Sequence, residues 1–164
     1  MKYFYIVLLS ISVISCTVEK KNETPLFNGL TFNLYDGEAI EEINSRTGER
    51  YSCFFNDGII QIPLYKYIKH SNYDIFIGIP YNTSIEALVK SKIAKQDSTD
   101  AYFKSDSVSF YKKYAKDGLY ITEYASKIED LSLIYIAAMS ESRELSDSLF
   151  TETKLSERIN TNKK

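Results

Sequence analysis

The chain has no tryptophan, one histidine, two cysteines, three prolines and six glycines in 164 residues. Each shortage removes a class of chemistry. One histidine and no cysteine pair leave no ligand set of the kind that holds zinc or iron. The scattered glycines form no phosphate-cradling loop, and no Gly-x-Ser-x-Gly elbow presents a hydrolase serine. Without tryptophan, a sugar-stacking platform loses its best residue. Charge of one sign is scarce too: 20 Lys+Arg stand against 22 Asp+Glu, a formal −2. No basic stripe emerges, so nucleic acid is not an expected partner. No motif asks for a cofactor, and none is expected.

What is present begins at the N-terminus. Lys2 is followed by a thirteen-residue apolar run, Tyr3 to Ser15. That length suits the h-region of a signal peptide. It falls short of the roughly 20 residues of a spanning helix, because Glu19, Lys20 and Lys21 end the apolar stretch. The run closes on Val13-Ile14-Ser15-Cys16. An aliphatic residue, a variable position, a small residue and a cysteine in that order resemble the lipobox of bacterial lipoproteins. The resemblance covers the first sixteen residues only. It implies cleavage after Ser15, a diacylglyceryl thioether on Cys16, and often a further acyl chain such as palmitate on the new amino group. Cys16 is thus the expected lipidation site. The expected location is the cell envelope, anchored by lipid to a membrane (the outer membrane if the cell has one). Ordinary secretion and an uncleaved anchor helix are the alternatives; Val13, which is not small, speaks against ordinary cleavage.

The expected organisation is a signal peptide over 1–15, a lipidated cysteine and flexible tether over 16–25, one globular domain over 26–159 and a polar tail over 160–164. With the leader gone, the loss of Lys2 leaves the chain one charge more negative. Such a domain offers no general attraction to anionic headgroups, so lipid on Cys16 has to supply the membrane contact.

Within the domain, Leu30, Phe32 and Leu34 alternate with Thr31 and Asn33, which predicts a half-buried strand within Leu26–Tyr35. Glu38–Glu49 is ambiguous, with Ile40 and Ile43 hinting at one helical turn. Arg50–Phe55 and Ile59–Tyr65 flank Asn56-Asp57-Gly58 and read as a hairpin, whose second arm, carrying Pro63, should be an edge strand or end early. Tyr73–Pro80 is aliphatic and predicts a buried strand, with Gly78 marking a bulge or a close backbone approach. Thr83-Ser84-Ile85-Glu86 fits a capping box with Thr83 as N-cap. It opens a helix whose apolar stripe is Ile85, Leu88, Val89 and Ile93, with Lys90, Lys92 and Lys95 at its end. Residues 96–107 read as a polar loop.

Three meander strands follow: Val108–Ala115, Leu119–Ile128 and Leu131–Met139. The last is apolar at both parities and should be central, with cover on both faces. Ser142–Ile159 predicts one closing helix. The class is α+β: a mostly antiparallel sheet of five to seven strands packed with two helices as a layered sandwich. In element order alone, this resembles the sandwich of the PsbP-type extrinsic photosystem proteins. The fourteen tyrosines and nine phenylalanines suit half-buried strands, where a tyrosine buries its ring and keeps its hydroxyl wet.

Chemistry is sparse. Cys53 lies in an apolar run and is expected to be a buried structural thiol; His70 is expected in a solvated loop. Asp97, Asp100 and Asp106 lack EF-hand spacing. Two function classes remain. The first is a non-catalytic envelope lipoprotein whose domain binds or interacts, with an envelope protein as its possible partner. The second is a small hydrolase-like enzyme using Cys53 or a serine with His70 as base.

Overall fold

The structure, a computed structural model, describes residues 22–55, 60–80, 83–93, 102–128 and 132–161. The signal peptide, Cys16, the Asn56-Asp57-Gly58 turn and residues 96–101 of the expected loop lie outside the described residues.

Among the described residues, ten strands form two antiparallel sheets. The large sheet has the order β3-β4-β5-β9-β8-β7-β6. Its strands are β3 (Ala39–Glu41), β4 (Leu64–Lys69), β5 (Tyr73–Gly78), β6 (Tyr102–Ser105), β7 (Ser109–Lys116), β8 (Leu119–Ile128) and β9 (Ser132–Ser140). The small sheet sets β2 (Leu30–Leu34) between β1 (Asn22–Pro25) and β10 (Ile159–Thr161). Helices α1 (Ser45–Ser52) and α2 (Ile85–Ile93) serve one face of the large sheet, and α3 (Arg143–Leu149) and α4 (Glu152–Glu157) the other. The α+β antiparallel class stands, now resolved into three layers.

Alternation along each strand feeds two cores. Leu133, Tyr135 and Ala137 join Phe76, Phe110 and Ala125 beneath α1 and α2, with Tyr51, Phe54, Ile85 and Leu88 from the cover. Ile134, Ile136 and Ala138 join Ile68, Ile75 and Ile77 beneath the small sheet, α3 and α4, with Phe32, Phe150 and Leu155. Ile134 and Ile136 are 0% exposed and Leu133 3%, as the double-parity apolar pattern of β9 requires. All six residues of β5, the neighbour of β9, are buried as well.

Several local expectations are corrected. Arg50–Phe55 is no hairpin arm: α1 runs into a 3-10 turn, Cys53–Phe55. The helical signal lay at Thr47, Tyr51 and Phe54, an i, i+4, i+7 stripe, and all three are buried. Asn44 caps the helix reciprocally with Thr47. That stripe turns Cys53 outward, so the thiol is exposed rather than buried. β4 is an interior strand, with Pro63 just before its first residue. The cap of α2 is Ser84, whose Oγ accepts from Ala87 N at 3.1 Å. The expected loop contains β6, and Asp106 Oδ1 turns the chain by accepting from Val108 N and Ser109 N, both at 2.7 Å. The closing helix is two helices, because buried Phe150 leaves the helical path and Thr151 caps a second start. Residues 22–25 of the expected tether are β1, and Asn160-Thr161 of the expected tail belong to β10.

Gly78 marks a close approach. A Cβ there would stand 1.9 Å from Tyr51 Oη and 2.6 Å from Ile62 Cγ2, so the ring of α1 lies directly on the β5 backbone. Opposite it, the β4–β5 register shifts between Leu64 and Lys66.

Two outcomes are expected in denaturant unfolding. Leu133→Ala and Ile134→Ala should each cost about 2–5 kcal/mol, because each empties a different closed core. A negligible loss for Ile134→Ala would mean that its face is open. Gly78→Ala should destabilise by about 1–3 kcal/mol through overpacking. Adding Tyr51→Phe should recover part of that loss by removing the nearest atom; a strictly additive double variant would contradict the contact.

Candidate functional site

A polar cleft lies at one end of the large sheet. Its volume is about 740 Å³. α1 supplies Arg46 and Arg50, one helical turn apart. The β4–β5 connection supplies Lys69, His70, Ser71, Asn72 and Asp74. The β9–α3 junction supplies Ser140, Glu141 and Ser142, and Leu119 and Met139 form part of the floor.

Asp74 organises this end. It is a carboxylate in an otherwise apolar buried strand, and it is held by three groups. Arg50 Nη2 stands 2.6 Å from Oδ2, Lys69 Nζ donates to Oδ1 at 3.0 Å, and Tyr67 Oη donates to Oδ1 at 2.8 Å. The Asp74 side chain is 8% exposed, whereas those of Arg50 and Lys69 are 37% and 47% exposed. The acid is therefore interior, and the two cations reach from it toward solvent. The hydrogen bond to Asp74 raises the Lys69 pKa above the ordinary lysine value. Burial, then the bond to Asp74, raises that of Tyr67. Lys69 is accordingly a fixed cation at neutral pH.

His70 is held by its own turn. Its ring stacks on Tyr73, with centroids 4.3 Å apart and planes 17° apart. Its Nδ1 accepts from Asn72 N at 3.2 Å. On another side it abuts the Tyr35–Glu38 turn: a Cβ on Gly37, which has φ +81°, would lie 3.0 Å from Nε2. Behind this stack, Tyr73 Oη donates to Glu38 Oε1 at 2.7 Å, and Glu38 pairs with the buried Arg158. Burial, then the bond to Glu38, pushes the Tyr73 hydroxyl pKa up.

Cys53 and the two serines of the β9–α3 junction make local hydrogen bonds. Cys53 Sγ donates to Glu49 O of α1 at 3.4 Å. It borders a neighbouring groove of about 270 Å³, which shares Arg50, Leu119 and Met139 with the cleft and does not include His70 among its lining residues. Ser140 Oγ donates to Asn72 O and accepts from Ser142 N, and Ser142 Oγ caps α3 by accepting from Leu145 N. Each serine thus holds a turn. Of the three aspartates considered for calcium, Asp106 holds the β6–β7 turn, and Asp97 and Asp100 lie outside the described residues. Among the described residues no group of three or more His, Cys, Asp or Glu could hold a metal ion. None of the described helices is long and apolar enough to cross a membrane.

Only His70 of this site was singled out in the sequence. Arg46, Arg50, Lys69 and Asp74 were missed, although signals existed. The Arg46–Arg50 spacing acquires meaning once α1 is recognised, and an aspartate inside Tyr73–Pro80 must find cations or donors if that strand is buried.

Asp74→Asn keeps an acceptor for Tyr67 and deletes the charge. It should cost about 1–3 kcal/mol, the range for losing charge-assisted hydrogen bonds at a buried group. The Lys69 pKa should fall back toward its ordinary value in an NMR titration. An unmoved Lys69 would show that Asp74 does not hold it.

No protein-family model matches this chain, and comparison with curated proteins finds no match to it.

Proposed function

We propose that the chain is a bacterial envelope lipoprotein, anchored by lipid on Cys16, whose domain is a non-catalytic binding module with the Arg46–Arg50–Lys69–Asp74 cleft as its binding site. The observation that carries the anchor is the order of the first sixteen residues: Lys2, an apolar run, then Val13-Ile14-Ser15-Cys16. A single acyl chain binds a membrane only marginally, whereas two or more chains on one residue hold it stably. β1 begins at Asn22, so the tether after Cys16 is short and the domain would stay close to the bilayer.

The binding reading is supported by the side-chain geometry. His70 is stacked and hydrogen-bonded within its own turn, Cys53 faces Glu49, and Ser140 and Ser142 hold turns. A nucleophile–base pair would require one of these to face His70 within hydrogen-bond reach. The cleft instead offers cations fixed by a buried acid, an arrangement suited to holding a polar ligand.

Cys16→Ala should abolish incorporation of labelled fatty acid and release the protein from membranes in an alkaline wash. A variant that stays membrane-bound and labelled sinks the lipoprotein reading. Thiol labelling that leaves cleft binding intact fits the non-catalytic reading; a hydrolytic activity abolished by Cys53→Ser or His70→Ala would replace it.

A further inference from the structure

The way β1 joins the fold sets which end of the domain is nearest Cys16. Asn22 pairs with Leu34, at the end of β2. Three residues beyond Leu34, Gly37 packs on the ring of His70, and His70 lines the cleft. The β1–β2 turn lies at the opposite end, where Phe27 meets Tyr65 near the start of β4, their centroids 6.2 Å apart. The start of β1 and the cleft therefore share one end of the molecule. Between Cys16 and Asn22 the chain reaches at most about 20 Å when fully extended. Resting on the lipoprotein reading above, that length keeps the cleft end toward the bilayer.

The charge of the cleft selects a ligand. Arg46, Arg50 and Lys69 are permanent cations there, against the carboxylates Asp74 and Glu141. The excess is one positive charge, which a headgroup of net charge −1 balances; a zwitterionic headgroup, whose ammonium cancels its phosphodiester, leaves it uncompensated, and a dianionic phosphomonoester would overshoot. Guanidinium groups match phosphate oxygens in pairs. Asp74 engages one edge of Arg50 and one proton of Lys69, so their remaining donors stay available on half-exposed side chains. The ligand present in quantity within reach of a short lipid tether is the headgroup of the surrounding membrane.

We propose that this cleft faces the anchoring bilayer and takes the phosphodiester headgroup of an anionic phospholipid from it. Arg46, Arg50 and Lys69 would be the binding residues, and Asp74 the positioning residue that holds two of them.

The test uses the full chain purified from membranes, with its mass measured first to score the lipid on Cys16. Cys53 is then the one remaining thiol. It is exposed and borders the groove that shares Arg50 with the cleft. It receives an environment-sensitive dye, and the protein is reconstituted into vesicles of phosphatidylcholine alone or mixed with phosphatidylglycerol. The expected result is a blue shift and a several-fold drop in iodide quenching with phosphatidylglycerol. Both should be lost in Arg46→Gln/Lys69→Gln, which leaves the Arg50–Asp74 pair in place, and kept in Lys127→Gln at the far end of β8. Identical signals in both vesicle types, or equal loss in Lys127→Gln, overturn the proposal. Glycerol 3-phosphate and a glycerophosphodiester are titrated against the protein in neutral detergent. Saturation there without a vesicle response means the cleft takes a soluble phosphate, and the membrane source is wrong. A mass without lipid refutes the lipoprotein reading and this proposal with it; a lipidated protein with an unresponsive cleft refutes this proposal alone.

Discussion

The covering layer of α1 and α2 depends on one buried ion pair. Lys92 Nζ, near the end of α2, stands 2.6 Å from Glu123 Oε2 on β8, with side chains 3% and 2% exposed. Two charges out of water are costly, and such a pair persists only when the remaining valences are met. Here Tyr135 Oη donates to Glu123 Oε2 at 2.6 Å, and Tyr114 Oη donates to Oε1 at 2.8 Å. Lys92 also donates to Phe54 O in the 3-10 turn, and Lys112 donates to Lys92 O. One cluster thus ties α2, the turn after α1, and strands β7, β8 and β9 to a common point. Burial, chiefly, and the charge of Glu123 keep the Tyr114 and Tyr135 hydroxyls protonated well above the ordinary tyrosine range. They act as donors across the pH range in which the fold operates.

The opposite face repeats the device. Arg158, between α4 and β10, pairs with Glu38 and donates from Nε to Asn33 O at 3.0 Å. Its guanidinium lies over the rings of Phe32 and Tyr35 at 4.4 and 4.3 Å. The small sheet, the approach to β3 and, through Tyr73, strand β5 meet there. Apolar burial drives both layers onto the sheet but is non-directional. In each layer a fully buried ion pair with demanding geometry distinguishes the seated position from a slipped one. The polar cleft lies beside the second of these contacts, so its cations project from a rigid end of the sheet.

Strands with strong local patterns were legible. β5 and β9 announced themselves by continuous apolar residues, β8 by its length between turns, and α2 by its stripe and its cap region. What could not be read depended on partners far along the chain. β1 is a polar tetrapeptide with only Thr24 buried, and it exists by pairing with β2. β10 is three residues at the end of an apparently helical pattern. In α1 the apolar stripe was hidden by the aromatic run Tyr51–Phe55, whose strand propensity is high and whose helical spacing shows only when Thr47 is counted as buried. Lys92 reads in the sequence only as a lysine favouring the helix C-terminus, because its acid lies on β8, 31 positions later in the numbering. The cleft was illegible for the same reason: α1, β4, β5 and the β9–α3 junction contribute one or a few residues each.

The small sheet has a temporal consequence. Its middle strand pairs with the first described strand on one side and the last on the other, with Phe32 opposite both Thr24 and Ile159. A ribosome that has made the large sheet has still not released the strand that completes the second layer. Contacts this distant in sequence form late and slowly. β2 therefore waits for its last partner until β10 has been made, and the second layer closes after the large sheet. For a chain sent across a membrane unfolded, as the proposed lipoprotein route requires, a domain whose second layer closes last would complete its fold after passage.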